Sequence, residues 1–193
     1  MTKNKEILNI QKKLNSFKYV KNKEFIYSSI NLIEKEKQCI CFDAALYAKF
    51  YLDTLKIPNL IITILLTTFN QKPVAHSICV FLENNKFGCL GKSSIEDLSY
   101  RPAKYENIED LVLSFIYPAF KNNYIISSFG QEEVEEIYSL FIQSNKNIDL
   151  KNKFKPLKNK KTYSIFQIKE ILNKYYKIDE KTINEKINLI YNI

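Results

Sequence analysis

Apolar residues recur at helical spacing through the first part of the chain. Ile7, Leu8, Ile10, Leu14 and Phe17 form one set; Phe25, Ile26, Ile30 and Ile33 form another. The pattern predicts helix over residues 5–35. A third helix is expected over 41–55, where Cys41, Ala45, Ala48, Leu52 and Leu55 lie on one stripe. It ends before Ile57-Pro58, because a residue preceding proline avoids the helical region. The period then changes from 3.6 to 2. Residues 60–68 are rich in β-branched side chains and read as a buried strand, 75–82 as a second and 86–93 as a third. Glu83-Asn84-Asn85-Lys86 between the last two is a hairpin signal, since Asn tolerates positive φ.

Further on, Ser94-Ile95-Glu96-Asp97 resembles a capping box that could open a helix. Helical pattern continues over 108–117 and 131–143. Residues 144–161 are rich in Lys and Asn with few apolar positions and read as a solvated basic connector. Ser164 and Gln167 form a second capping box ahead of Ile165, Ile168, Ile171 and Leu172, and a final helix is expected over 180–191. This gives a core over 1–143 with N-terminal helices, a connector over 144–161 and a helical appendage over 162–193. Helices, then an antiparallel sheet, then helices define an α+β chain.

Composition narrows the function classes. With 193 residues and 46% hydrophobic content, the chain can bury a full core. The apolar run at 60–66 is far too short to cross a bilayer, and the polar N-terminus lacks a signal region. A cytoplasmic protein without a membrane partner is expected. The four cysteines (39, 41, 79 and 89) form no C-x-x-C pair and the chain has one histidine, which argues against a zinc site; no cofactor is expected. Net charge is +8, carried almost wholly by lysine, with Arg101 the single arginine. Phosphate readers favour arginine's bidentate fork, and the helix at 180–191 carries Glu180 and Glu185 but no arginine. Nucleic acid is therefore not the expected partner.

Two residues carry candidate chemistry. Cys41 falls at a helix start, where the helix field favours thiolate and free amides can hold an oxyanion. Asp43 nearby opposes a second negative charge. The alternative is a small buried cysteine filling a gap. Any Cys–His chemistry must use His76. If the strand face bearing His76, Ile78 and Val80 meets the Cys41 helix, thiol and imidazole converge; otherwise His76 is a core histidine bonded to a carbonyl. A turn at Asn84-Asn85 pairs Leu82 with Phe87 and Val80 with Cys89, which brings Ser93 opposite His76 as the residue to orient the ring; a bulge would shift this place to Lys92 or Ser94. Gly88 and Gly91 suggest irregularity or close backbone approach.

These residues resemble the transglutaminase-like core of the papain-like fold. A Cys opening a helix, a small residue four positions on and a Leu-x-Ile-Pro ending correspond to Cys41, Ala45 and Leu55-Lys56-Ile57-Pro58, with Lys56 where the family usually has Gly. A strand opening with His and a later aromatic correspond to His76 and Phe87. The family's Asp position falls on Gly91. The Lys92-Ser93 pair, with Leu98, Tyr100-Arg101-Pro102 and Tyr105, is similar to an uncharacterised bacterial branch. The resemblance covers about residues 38–120. It implies a cysteine hydrolase or acyltransferase acting on a peptide or protein amide, with Cys41 as nucleophile and His76 as general base. Ser93 stands in weakly for the missing acid, and Lys92 and Arg101 are candidate substrate contacts. Arg101 can equally pair with a helix C-terminus. A catalytically retired fold that binds a protein or ligand is the alternative function.

Overall fold

The computed structural model describes residues 3–20, 26–68 and 73–191. The expected apolar position Phe25 lies outside them. The chain opens with α1 (Lys3–Ser16), the short strands β1 (Lys18–Tyr19) and β2 (Ile26–Tyr27), α2 (Ile30–Glu36) and β3 (Gln38–Cys39). The helical expectation over 5–35 is thus interrupted: β1 pairs in parallel with β3 and delivers Tyr19 next to the start of the following helix. That helix, α3, runs Cys41–Thr54. Ala44, Ala45, Ala48 and Leu52 are fully buried; their small size lets α3 lie close on the sheet.

The end of α3 is instructive. Lys56 takes φ 54°, and the Ile57 N–H reaches back to the Leu52 carbonyl at 2.9 Å. This is a left-handed helix stop, a position best suited to glycine. Lysine holds it here at a cost of about 1 kcal/mol.

The main sheet follows: β4 (Asn59–Thr67), β5 (Val74–Glu83), β6 (Lys86–Leu90) and β7 (Arg101–Tyr105). Then come α4 (Ile108–Leu113), α5 (Ile116–Lys121), β8 (Ile125–Gln131), α6 (Glu135–Gln143), β9 (Ile148–Asp149) and β10 (Lys158–Thr162). The order across the sheet is β10-β8-β4-β5-β6-β7, antiparallel throughout. The β5–β6 hairpin has the expected register, Val80 on Cys89 and Leu82 on Phe87, with Asn84 and Asn85 both at positive φ.

Two expectations change. Residues 94–97 do not open a helix. Asp97 sits at φ 60°, and the Ile95 N–H is held by the Ser93 hydroxyl instead of a helical cap. The segment 144–161 is not only a connector: its end adds β10 to the sheet edge. β10 carries no apolar residue, so nothing in its pattern marks a strand; the open backbone edge of β8 supplies the reason.

The last helices are α7 (Ile165–Tyr176), opened by the expected Ser164–Gln167 capping box, and α8 (Glu180–Tyr191). They are not a separate unit. Ile168, Leu172, Ile183, Ile187 and Ile190 join Ile62, Ile64, Ile78, Val80 and Phe115 in one apolar cluster. The opposite sheet face bears Ile61, Cys79 and Phe81 and packs on α3, α1 and α6. The sheet therefore separates two layers. Among the described residues no helix is long and apolar enough to cross a membrane.

Candidate functional site

Cys41 is the first residue of α3, as its spacing predicts, and it is half-buried. Ile40 provides no side-chain cap; instead the Asp43 carboxylate accepts the Ile40 and Ser28 N–H groups at 3.3 and 3.1 Å. Asp43 is 2% exposed, and burial pushes its carboxyl up to about 7 against those two donors. Burial likewise raises the Cys41 thiol; donors from Ser77 and Tyr19 pull the other way, and Asp43 reinforces the rise. The sulfur meets β5 at its backbone, 3.8 Å from the Ala75 carbonyl oxygen. Tyr19 and Ser94 line the same cavity as the thiol, and burial, with Cys41 nearby, holds the Tyr19 hydroxyl above its ordinary range.

His76 goes elsewhere. Side chains alternate along a strand. Cys79 and Phe81, which share a face with Ser77, belong to the layer containing α3, whereas Ile78 and Val80, which share a face with His76, belong to the layer containing Leu98 and α7. It is Ser77, not His76, that faces the α3 side. The imidazole is 3% exposed, and its Nε2 donates to the Leu98 carbonyl at 2.6 Å. That bond places the proton on Nε2. Burial lowers the ring to about 4, so it is neutral near pH 7. Among the described residues no hydrogen bond joins Cys41 and His76. The pair therefore differs from a thiolate–imidazolium couple in both placement and charge.

The other expected contacts are structural. The Ser93 hydroxyl takes the Ile95 N–H, and its own N–H goes to Ser99, so it does not orient His76; the Leu98 carbonyl has that place. Lys92 reaches the Asn15 carbonyl at 2.9 Å, near the C-terminus of α1. Arg101 donates to Ser114 Oγ at 2.9 Å, to the Ser114 carbonyl at 3.1 Å and to the Tyr100 carbonyl at 2.7 Å; its guanidinium lies 4.2 Å above the Phe115 ring. Arg101 thus ties the end of α4 to β7. Replacing it with lysine should lower stability by about 1–2 kcal/mol in urea unfolding, because the planar fork and the ring contact are both lost. It should leave Cys41 reactivity unchanged.

A cavity of about 820 Å³ opens over Cys41. Its walls include Tyr19, Tyr27, Ile40, Phe42, Leu65, Phe154 and Leu157. Tyr27, Phe42 and Phe154 form an aromatic cluster with centroids 5.1–5.6 Å apart. Polar groups are few inside. Thr63 and Ser77 bond each other at 2.9 Å, and the Glu132 carboxyl stands beside Thr63 on the same wall. All three are buried, and burial raises the Glu132 carboxyl above its ordinary range. Lys155 and Lys160 stand at the exposed rim. Glu132 and Tyr19 carry no signal of their own in the sequence. Glu132 reaches the cavity because its N–H bonds the Ile61 carbonyl and extends the β8–β4 pairing, and Tyr19 because β1 pairs with β3.

The architecture defines a mixed α+β protein with a six-stranded antiparallel sheet. No protein-family model and no curated protein matches the chain.

Proposed function

We propose that this chain binds a small, largely apolar ligand in the cavity over Cys41, on a scaffold resembling the transglutaminase-like core. The observation that carries this reading is the divergence of the two candidate catalytic groups around an intact cavity. The thiol sits against the cavity at the head of α3, while the only imidazole turns toward Leu98 on the other side of β5. Apolar walls with a few convergent polar groups are the usual makeup of a small-molecule site.

A second reading has its own support. Cysteine acyl transfer, with hydrolysis of an amide through Cys41 and His76, is favoured by the thiol's place at a helix start inside a cleft. It is favoured also by the Nε2 bond to Leu98, which leaves Nδ1 as the ring's proton acceptor. It requires ring and thiol to meet when substrate binds.

Iodoacetamide labelling at several pH values separates the two. With a raised thiol, Cys41 should react slowly at pH 7 and faster as pH climbs past 9. His76→Gln should change that rate by no more than about twofold, and Cys41→Ala should remove the fastest-labelling site, since the other three thiols are buried. Rapid labelling near pH 6 that disappears in His76→Gln would overturn the binding reading and favour catalysis.

A further inference from the structure

We infer that the cavity recognises a cationic head, an ammonium or guanidinium on an apolar body, and that Glu132 is the group receiving it. The inference rests on the ligand-binding reading and names the chemistry it implies.

The argument is one of hydrogen-bond supply. Thr63, Ser77 and Glu132 converge on one wall. The two hydroxyls bring two protons between them. One lies in the Thr63–Ser77 bond, and the other is available to Glu132. A carboxylate offers about four acceptor positions, so once those two protons are placed this wall still has acceptor capacity left over. Glu132 is 9% exposed, so water replaces the missing donors poorly. A ligand entering here completes the wall by bringing donors, and most effectively by bringing positive charge.

The surroundings agree. The neighbouring aromatic cluster suits both an apolar body and a cation. The two rim lysines oppose a cation only weakly: both are exposed and screened by water, and Lys155 is already paired with Glu133 at 3.2 Å. Among the described residues that line the cavity Glu132 is the only acid, and it is withdrawn from the rim.

The test compares three six-carbon probes on the full chain: hexylamine, hexanol and hexanoate. Binding is followed by calorimetry and by protection of Cys41 from iodoacetamide. Hexylamine should bind best and slow labelling. Glu132→Gln, which keeps an acceptor for Thr63, should weaken hexylamine about tenfold and leave hexanol unchanged. Thermal unfolding of the variant near the wild-type midpoint shows that the loss is local. Lowering pH through the titration of Glu132 should weaken hexylamine alone. Hexanol binding as tightly as hexylamine, or an unaltered Glu132→Gln, overturns the head-group assignment while the cavity reading stands. Tighter binding of hexanoate reverses the sign of the assignment. Failure of all three probes to bind or protect Cys41 overturns both.

Discussion

Asp43→Asn should make stability climb by about 3 kcal/mol relative to wild type between pH 4 and 6.5, and His76→Gln should make it fall by a similar amount over the same range. The two buried groups titrate in opposition. Asp43 has an ordinary value of 3.8 and is held at about 7 in the fold. The folded chain keeps a proton that the unfolded chain has lost, so its contribution is fully present at low pH and drains away as pH rises toward 7. His76 has an ordinary value of 6.5 and is held at about 4. Its contribution is present above 6.5 and is lost as pH falls to 4. Each alone gives a slope of about 1.4 kcal/mol per pH unit, with opposite sign, so in the wild type the two cancel between pH 4 and 6.5. Other carboxylates add a background common to all three proteins, which is why the difference between variant and wild type is the quantity to measure. Urea unfolding at pH 4.5, 5.5 and 6.5 checks it. Variant curves running parallel to wild type would refute the assignment of both groups.

Gly88→Ala should cost about 3 kcal/mol and lower the midpoint of thermal unfolding by roughly 10 °C. A methyl group added there falls 2.5 Å from the tip of the Phe81 ring, 2.8 Å from the Ala103 nitrogen and 2.9 Å from the Arg101 oxygen. Phe81 can turn only a little, being 1% exposed, and the other two atoms are backbone of β7. Relief therefore requires β7 to move away from β6. That would loosen the segment holding Leu98 and Arg101. Calorimetric melting decides the matter; a midpoint within 2 °C of wild type, with the hairpin intact, would show that β7 yields freely.

How far the sequence anticipates this molecule depends on how local the cause is. α3 and the β5–β6 hairpin are legible, because an alanine stripe and an Asn-Asn turn state their geometry within a few residues. Cys41 at a helix start follows from the same stripe. The position of His76 depends instead on which face of β5 meets α3. Alternation gives two faces but does not label them, since both carry large apolar residues: Ile78 and Val80 on one, Cys79 and Phe81 on the other. The Ser93 expectation fails for a non-local reason. β6 ends at Leu90, and the Gln11 side chain bonds the Gly91 backbone at 2.9 and 3.2 Å, taking the place of a strand partner. No pattern within residues 86–93 announces a glutamine eighty positions earlier. β8 lies between two helical patterns that leave it unmarked. Glu132 becomes part of a cavity only once β8 pairs with β4.

The two outer strands of the sheet have a bearing on how copies of the chain behave toward one another. β10 at one border reads Lys-Asn-Lys-Lys-Thr with every residue exposed, and β7 at the other carries Pro102 between Arg101 and Ala103. Like charge repels a second β10, and a proline lacks the amide proton that a neighbouring ribbon needs. Both borders are thus poor templates for continued strand stacking, and six strands form a self-limiting array rather than the beginning of a fibre.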